Sequence, residues 1–175
     1  ALHGLAPADP RRLGVFTGCG EIYPDFEQFC RMALACASAG QCGGDLLEQV
    51  RAAFPPDEDL VLEPGTAAGL IAGMLDARGP NANYTAACVS SSKALGEAAD
   101  AIRHGDADVM LAGGAHSMIH PFGLTGFLRL STLSTRSGPP SEAARPFDRH
   151  RDGFVVGEGG VILILEELQH ARRRG

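Results

Sequence analysis

Short strand-like segments alternate with segments of helical periodicity along this chain of 175 residues. This alternation predicts a layered α/β fold, because the helices are needed to cover the faces of the sheet. The predicted strands are residues 13–17, 82–87, 108–112 and 161–165. The last two are continuous apolar runs, which are typical of strands buried on both faces. With 45% hydrophobic residues, residues 1–175 are expected to form one domain around one core, and no second domain is needed.

Five helices are predicted from apolar spacing and from capping residues. Asp25 with Gln28, and Asp45 with Glu48, have the spacing of a capping box. The predicted helices begin at residue 25, run from residue 45 to about residue 54, span residues 65–77 and 88–104, and begin at residues 166–168. Gly79 is expected to close the third helix. Residues 122–160 are rich in Gly, Pro and Ser and show little periodicity, which predicts a long ordered loop that lines a functional site.

Cys88 lies where the strand 82–87 meets the helix 88–104, so its thiol is expected at a helix N-terminus. Backbone N–H groups at the start of a helix together carry roughly +0.5 of a unit charge. They favour a thiolate and can hold an oxyanion that forms on a bound thioester. Many cysteines are instead buried apolar fillers, so the position of Cys88 by itself leaves both interpretations open.

Composition argues against several classes of function. The net charge of -6 disfavours a nucleic-acid binder, which normally has a basic face. No apolar stretch reaches the ~18 residues of a membrane span, and the first residues lack a signal-peptide pattern, so we expect a soluble cytoplasmic protein. Neither a disulfide framework nor a zinc site is predicted from the five cysteines, which are Cys19, Cys30, Cys36, Cys42 and Cys88.

Several short motifs surround Cys88 in a fixed order. They are Gly79-Pro80-Asn81, Thr85-Ala86-Ala87-Cys88, Gly113-Gly114-Ala115, Leu133-Ser134-Thr135-Arg136, Arg145-Pro146-Phe147-Asp148 and Arg151-Asp152-Gly153-Phe154. This series closely resembles the beta-ketoacyl-[acyl-carrier-protein] synthases, the condensing enzymes of fatty-acid and polyketide biosynthesis. The similarity runs from about Leu13 to the end of the chain and is strongest from Gly79 onward.

The resemblance implies one half of the duplicated thiolase-like α/β/α fold, with a nucleophile elbow near residue 88. It implies that Cys88 accepts an acyl chain as a thioester from an acyl carrier protein, and that a malonyl-derived carbanion then attacks this thioester. The 4'-phosphopantetheine arm belongs to the carrier, so no cofactor or metal is expected on this chain. Phe127 matches a position whose ring lines the acyl pocket, with a plain core aromatic as the other interpretation. A homodimer that pairs strand 82–87 across a two-fold axis is also implied, with a heterodimer of the same type as the other possibility.

In the resembled family, two catalytic histidines and a lysine belong to the C-terminal half, in motifs of the His-Gly-Thr and Asn-x-x-x-Gly-His kind. Neither motif occurs here, so that role is assigned to none of His104, His116, His120 and His150. The resemblance covers less than half of a full member. We therefore expect an excerpt, a subunit completed by another chain or a fragment, with poor stability on its own.

Charged residues of the predicted loop alternate in sign. Asp148, Arg151, Asp152 and Glu158 are expected to form structural salt bridges, because neighbouring arginines keep carboxylates ionised and unsuited to proton transfer. Arg129 and Arg136 are candidates for contact with the acidic surface of a carrier protein.

Two other functions stay open. One is a thiolase or coenzyme A-dependent condensing enzyme of the same fold, although the loop 147–159 favours the carrier-protein branch. The other is a catalytically silent partner that determines chain length. Such partners typically have another residue at the nucleophile position, so Cys88 argues against this role.

Overall fold

Four strands form one mixed sheet in the computed structural model, which describes residue 4 and residues 7–20, 23–38, 46–55 and 60–175. The strands are β1 (Leu13–Gly18), β2 (Asn81–Tyr84), β3 (Val109–Ser117) and β4 (Glu158–Glu166), in the order β2-β1-β3-β4. β1 is parallel to β2 and β3, whereas β4 is antiparallel to β3. The carboxyl ends of the three parallel strands meet at one edge of the sheet, where open α/β sheets bind ligands.

Six α-helices accompany the sheet in the part of the chain that the structure describes. They are α1 (Phe26–Ser38), α2 (Leu46–Ala53), α3 (Thr66–Leu75), α4 (Ser90–His104), α5 (Pro121–Arg129) and α6 (Leu168–Arg174). Asp25 caps α1 as predicted, because its Oδ1 accepts a hydrogen bond from the Gln28 N–H at 2.8 Å. The capping residue predicted at Asp45 and the cysteine at position 42 lie outside the described residues.

Helices α3 and α4 cover opposite faces of the sheet. Successive strand side chains point to opposite faces, so the core divides into two clusters. The cluster beneath α4 consists of Phe16, Ala94, Ala98, Ala101, Ala107, Met110 and Ala112. The cluster beneath α3 consists of Leu13, Val15, Ala68, Val109 and Leu111. The result is the predicted three-layer α/β/α arrangement.

Several predicted boundaries differ from the structure. β2 ends at Tyr84 rather than at residue 87, because the next residues form the turn into α4. α3 ends at Leu75, where Asp76 takes a left-handed φ of 50° and its N–H bonds back to the last turn. Gly79 is therefore not the end of this helix. β3 confirms the predicted strand 108–112 and continues to Ser117.

The prediction of one long loop over residues 122–160 is wrong at its start, where α5 forms, and at its end, where β4 begins at Glu158. Pro121 occupies the first helical turn, and the His120 side chain accepts a hydrogen bond from the Phe122 N–H at 3.3 Å. Glycines within the helix leave gaps in its apolar spacing, which hid the helical period. Pro at the first position is nevertheless a common helix start.

Strand β4 is not buried on both faces, contrary to the prediction for residues 161–165. It lies at the edge of the sheet, and Val161, Ile162, Leu163 and Ile164 are 65%, 39%, 49% and 46% exposed. The apolar run predicted the strand correctly, but an apolar run contains no information about what covers it.

Across the described ranges, no helix combines the length and apolar character needed to cross a bilayer.

Candidate active site

Cys88 lies in the turn that joins β2 to α4. One turn of 3-10 helix, Ala87–Val89, follows the strand and leads directly into the α-helix at Ser90. Ala87 has a left-handed φ of 48°. This conformation costs an L-residue roughly 1–2 kcal/mol. The thiol is thus held at the head of α4, as predicted, although in a 3-10 turn rather than in the α-helix itself.

The side chain of Ser90 connects the two sides of this turn. Its Oγ accepts a hydrogen bond from the Ala86 N–H at 2.8 Å and donates one to the Ala87 carbonyl at 2.7 Å. We call this pair of bonds the Ser90 bridge. Ser90 is only 5% exposed, so the bridge is largely shielded from solvent. This role of Ser90 was not predicted from the sequence, although serine in a first helical turn often bonds back to the preceding backbone.

Some of the amides expected to face the thiol are paired within the turn. The Val89 N–H donates to the Ala86 carbonyl at 3.2 Å, and the Ser90 N–H donates to the Ala87 carbonyl. The converging set of unpaired amides predicted at Cys88 is therefore smaller than a regular helix N-terminus would provide.

Two glycines allow the strands to pack closely against the start of α4. A Cβ at Gly18, the last residue of β1, would lie 2.4 Å from the Ser90 carbonyl carbon. A Cβ at Gly114 in β3 would lie 2.9 Å from the Ser91 Cβ. The backbone below the turn is thus in direct contact with it, and side chains at these two positions would push it away.

A polar network joins the loop after β1 to the loop after β2. The Asn83 Oδ1 accepts hydrogen bonds from the Thr17 hydroxyl at 2.9 Å and from the Cys19 N–H at 3.1 Å. The Thr85 hydroxyl donates to the Cys19 carbonyl at 3.2 Å and accepts from the Asn83 amide at 3.3 Å. These bonds fix the loop after β1 beside the segment that leads to Cys88.

Cys88 is exposed and lines a cavity of about 470 Å³. This volume lies within the usual range for small-molecule sites. Besides Cys88, the lining consists of Gly18, Gly20, Ala87, Ser90, Ser91, Gly114, Ala115, His116, Met118, Phe127 and Gly159. The structure thus brings together Cys88 and Phe127, the two site residues named from the sequence.

Phe127 reaches the cavity from α5. Its ring packs edge-to-face against Phe154, with 5.1 Å between the ring centroids. The aromatic pair therefore joins α5 to the loop that precedes β4 and supports the ring on the side of the cavity.

The histidines occupy different places. His116 lies at the carboxyl end of β3, is half-buried and lines the cavity. His120 caps α5 and stacks on Tyr23 with centroids 5.1 Å apart. His104 and His150 are exposed. Within the described residues, no group of three or more His, Cys, Asp or Glu side chains is arranged to hold a metal ion.

The charged loop is built from ion pairs and hydrogen bonds. Asp148 accepts a bond from the His150 N–H at 2.7 Å and pairs with Arg145 at 3.1 Å, and both contacts lower its pKa. Bonds from the Ser134 hydroxyl at 2.7 Å and the Thr135 N–H at 3.0 Å lower the pKa of Asp152. Both carboxylates thus stay ionised, as a structural role requires.

The partners of the other charged residues differ from the expected ones. Arg151 donates to the Asp148 backbone carbonyl at 2.9 Å, and Glu158 accepts from the Ser117 hydroxyl at 2.8 Å. Arg136 lies 3.8 Å from Asp152, whereas Arg129 is exposed at the end of α5.

Comparisons with known proteins point to one family. Residues 3–171 match the family model described as "Beta-ketoacyl synthase, N-terminal domain". Over 157 residues the chain is 39% identical to 3-oxoacyl-[acyl-carrier-protein] synthase 2 of Vibrio harveyi, covering 85% of this chain and 38% of that protein. Over 116 residues it is 46% identical to the protein of the same name from Vibrio cholerae, covering 64% of this chain and 28% of that protein.

A solved structure has the same fold. It is described as a type II PKS acyl-carrier protein in complex with its ketosynthase bound to the hexaketide, and the match has a TM-score of 0.76 at 31% identity. The match covers 95% of this chain and 39% of that one. The chain thus spans less than half the length of these relatives.

Proposed function

Because the chain belongs to the beta-ketoacyl synthase family, we propose that it is the nucleophile-bearing part of a beta-ketoacyl-[acyl-carrier-protein] synthase. The reaction is a decarboxylative Claisen condensation in fatty-acid or polyketide biosynthesis. The observation that carries the proposal is the position of Cys88, whose thiol is exposed in a cavity at the head of α4. A silent partner would have no use for a thiol in that place.

Cys88 accepts the acyl group in the first half-reaction. Its Sγ attacks the carbonyl carbon of the acyl thioester on the carrier's phosphopantetheine, and an oxyanion forms. Since the Val89 and Ser90 N–H groups are paired within the turn, the N–H of Cys88 itself is the proposed backbone donor to this oxyanion. The bond from the acyl carbon to the phosphopantetheine sulfur then breaks, and that sulfur leaves as a thiol with the proton that Cys88 has lost.

Carbon–carbon bond formation follows in the second half-reaction. A malonyl thioester loses CO₂, and the carbanion so formed attacks the acyl carbon on Cys88. The bond between that carbon and Sγ breaks, so Cys88 leaves as a thiolate that takes up a proton from water, and the β-ketoacyl product stays on the carrier. None of the described residues is assigned as a hydrogen-bond donor that stabilises the enolate.

Phe127 is proposed as a wall of the acyl pocket. Its ring lines the cavity that contains Cys88 and is supported by Phe154. An alkyl chain gains about 0.8 kcal/mol for each buried methylene, so an apolar wall at this point helps to select chain length.

An acyl carrier protein is the proposed partner and brings the 4'-phosphopantetheine arm. The solved relative is a ketosynthase in complex with such a carrier. Arg129 is the better of the two predicted contacts, because the guanidinium of Arg136 is already bonded to the His150 carbonyl and lies close to Asp152.

Pairing of two chains of the thiolase type through β2 is also proposed. β2 lies at one edge of the sheet, so its outer backbone groups are placed to bond a second strand.

Intact-mass analysis after incubation with an acyl-carrier thioester tests the nucleophile. We expect one acyl adduct on the wild-type chain and none on Cys88→Ala. Cys30→Ala is the matched control, because this half-buried thiol of α1 does not line the cavity, and its adduct should equal that of the wild type. An adduct that persists on Cys88→Ala, or no adduct on the wild type, contradicts the proposal.

A further inference from the structure

Both bonds of the Ser90 bridge span Cys88. One reaches back four residues to the Ala86 N–H and the other reaches three residues to the Ala87 carbonyl. We propose that Ser90 is a positioning residue, which holds Sγ of Cys88 in the cavity in the orientation that attacks an acyl carbon. This inference rests on the proposed function, in which Cys88 is the acyl acceptor.

The conformation of Ala87 is the reason that the turn needs a bridge. A left-handed φ of 48° is not a local preference of alanine, so neighbouring contacts must hold it. The Ala87 carbonyl accepts both the Ser90 hydroxyl and the Ser90 N–H, which fixes the direction of that peptide group. Since Cys88 is the next residue, the direction of its Cα–Cβ bond is fixed with it.

Water cannot easily replace the hydroxyl. Ser90 is 5% exposed, and the Gly18 backbone lies directly against its carbonyl group. Loss of Oγ leaves the Ala86 N–H without its acceptor at a partly buried position. The turn is then expected to relax toward other conformations of Ala87, which move Sγ away from the reactive orientation.

The rest of α4 does not depend on the bridge. Ala94, Ala98 and Ala101 hold the helix against the sheet, and Gly105 closes its C-terminus with a left-handed φ of 79°. Removal of the Ser90 hydroxyl is therefore expected to change the reactivity of Cys88 much more than it changes the fold. This difference separates positioning from a purely structural role.

Three variants within one serine run test the inference. Ser90→Ala removes the bridge, Ser90→Thr keeps a hydroxyl on the same Cβ, and Ser92→Ala removes a hydroxyl from an exposed residue that does not line the cavity. Two rates are measured for Cys88, namely single-turnover acylation by an acyl-carrier thioester and alkylation by iodoacetamide. Thermal unfolding is recorded for each variant.

We expect Ser90→Ala to acylate about tenfold to hundredfold more slowly at saturating carrier, with an unchanged half-saturating concentration. Alkylation should slow in the same variant, because the small reagent reports on the thiol alone. Ser90→Thr and Ser92→Ala should react at nearly the wild-type rates. Ser90→Ala with both wild-type rates overturns the inference, as does Ser92→Ala with an equal loss.

The two rates separate this inference from the proposed function. If the carrier thioester acylates no variant but Ser90→Ala still alkylates slowly, the proposed function fails and the positioning role stands. If the wild type and Ser90→Ala are acylated equally fast, only the positioning role fails. Should Ser90→Ala not fold, Ser90→Thr decides, because a folded Ser90→Thr that acylates tenfold more slowly than Ser92→Ala contradicts a role for the hydroxyl.

Discussion

At Gly18, the addition of a single methyl group should disrupt the site that contains Cys88. A Cβ there would lie 2.4 Å from the Ser90 carbonyl carbon and 2.5 Å from the Ser90 carbonyl oxygen. These backbone atoms cannot move without moving the turn that contains Cys88. We expect Gly18→Ala to destabilise the fold by about 1–3 kcal/mol, as overpacking does, and to slow acylation of Cys88.

Gly96 provides the matched control for that change. It lies in the middle of α4, and a Cβ there would meet nothing within 4 Å. Gly96→Ala should stabilise the helix by about 0.5–1 kcal/mol, because alanine loses less entropy than glycine on helix formation. Urea unfolding measures both variants. Equal stability for Gly18→Ala and the wild type would refute the close packing of β1 against α4.

At the scale of helices and strands, the elements with a clear apolar pattern in their own sequence were the ones predicted correctly. β1 and α4 were predicted almost in full from their apolar patterns, whereas only the first part of β3 was predicted, because its apolar run ends at Ala112. α5 was missed because its start depends on a proline and on the His120 cap rather than on apolar spacing. Cys88 was singled out by its place between a strand and a helix, and the family resemblance then gave its role and that of Phe127. The role of Ser90 was not predicted, because the direction of its hydroxyl depends on the turn that it stabilises.

The starts of β1 and β3 are joined by an ion pair between Arg12 and Asp108. Two guanidinium nitrogens of Arg12 lie 2.6 and 3.0 Å from the Asp108 carboxylate, and the Asp108 N–H bonds to the Arg12 carbonyl at 2.8 Å. The hydrogen bonds from Arg12 lower the pKa of Asp108 below its ordinary value of 3.8. The pair therefore contributes stability above pH 3.8, and that contribution is lost as the pH falls through the lowered value.

Asp108→Asn should cost about 1–2 kcal/mol in the free energy of unfolding at neutral pH. The difference from the wild type should shrink once the pH falls below 3.8, because the wild-type carboxyl then becomes protonated. Asp100→Asn is the control, since Asp100 and its partner Arg103 are 52% and 73% exposed and such pairs contribute little. Urea unfolding at several pH values measures both. A pH-independent loss in Asp108→Asn would mean that the charge is not the cause.

At the scale of the whole molecule, the role of the exposed apolar residues on β4 depends on what covers this strand. Val161 and Leu163 point to one side of β4 and Ile162 and Ile164 to the other, and all four are at least 39% exposed on an edge strand. The chain spans 38% of the Vibrio harveyi relative and 39% of the solved ketosynthase. Sequence patterns could not predict the exposure of this strand, because the burial of an apolar run depends on residues elsewhere.

An apolar edge strand of this kind is a site of association, so the 175-residue chain should self-associate and bind a hydrophobic dye when studied alone. Val161→Thr combined with Leu163→Thr should reduce both effects, because threonine keeps the strand propensity while making one face polar. Leu34→Gln is the control, since Leu34 is 67% exposed and lies on α1 rather than on β4. Light scattering across a concentration series measures association. A wild-type chain that stays monomeric, or a Leu34→Gln variant that loses association as fully as the double variant, would show that β4 is not the surface responsible.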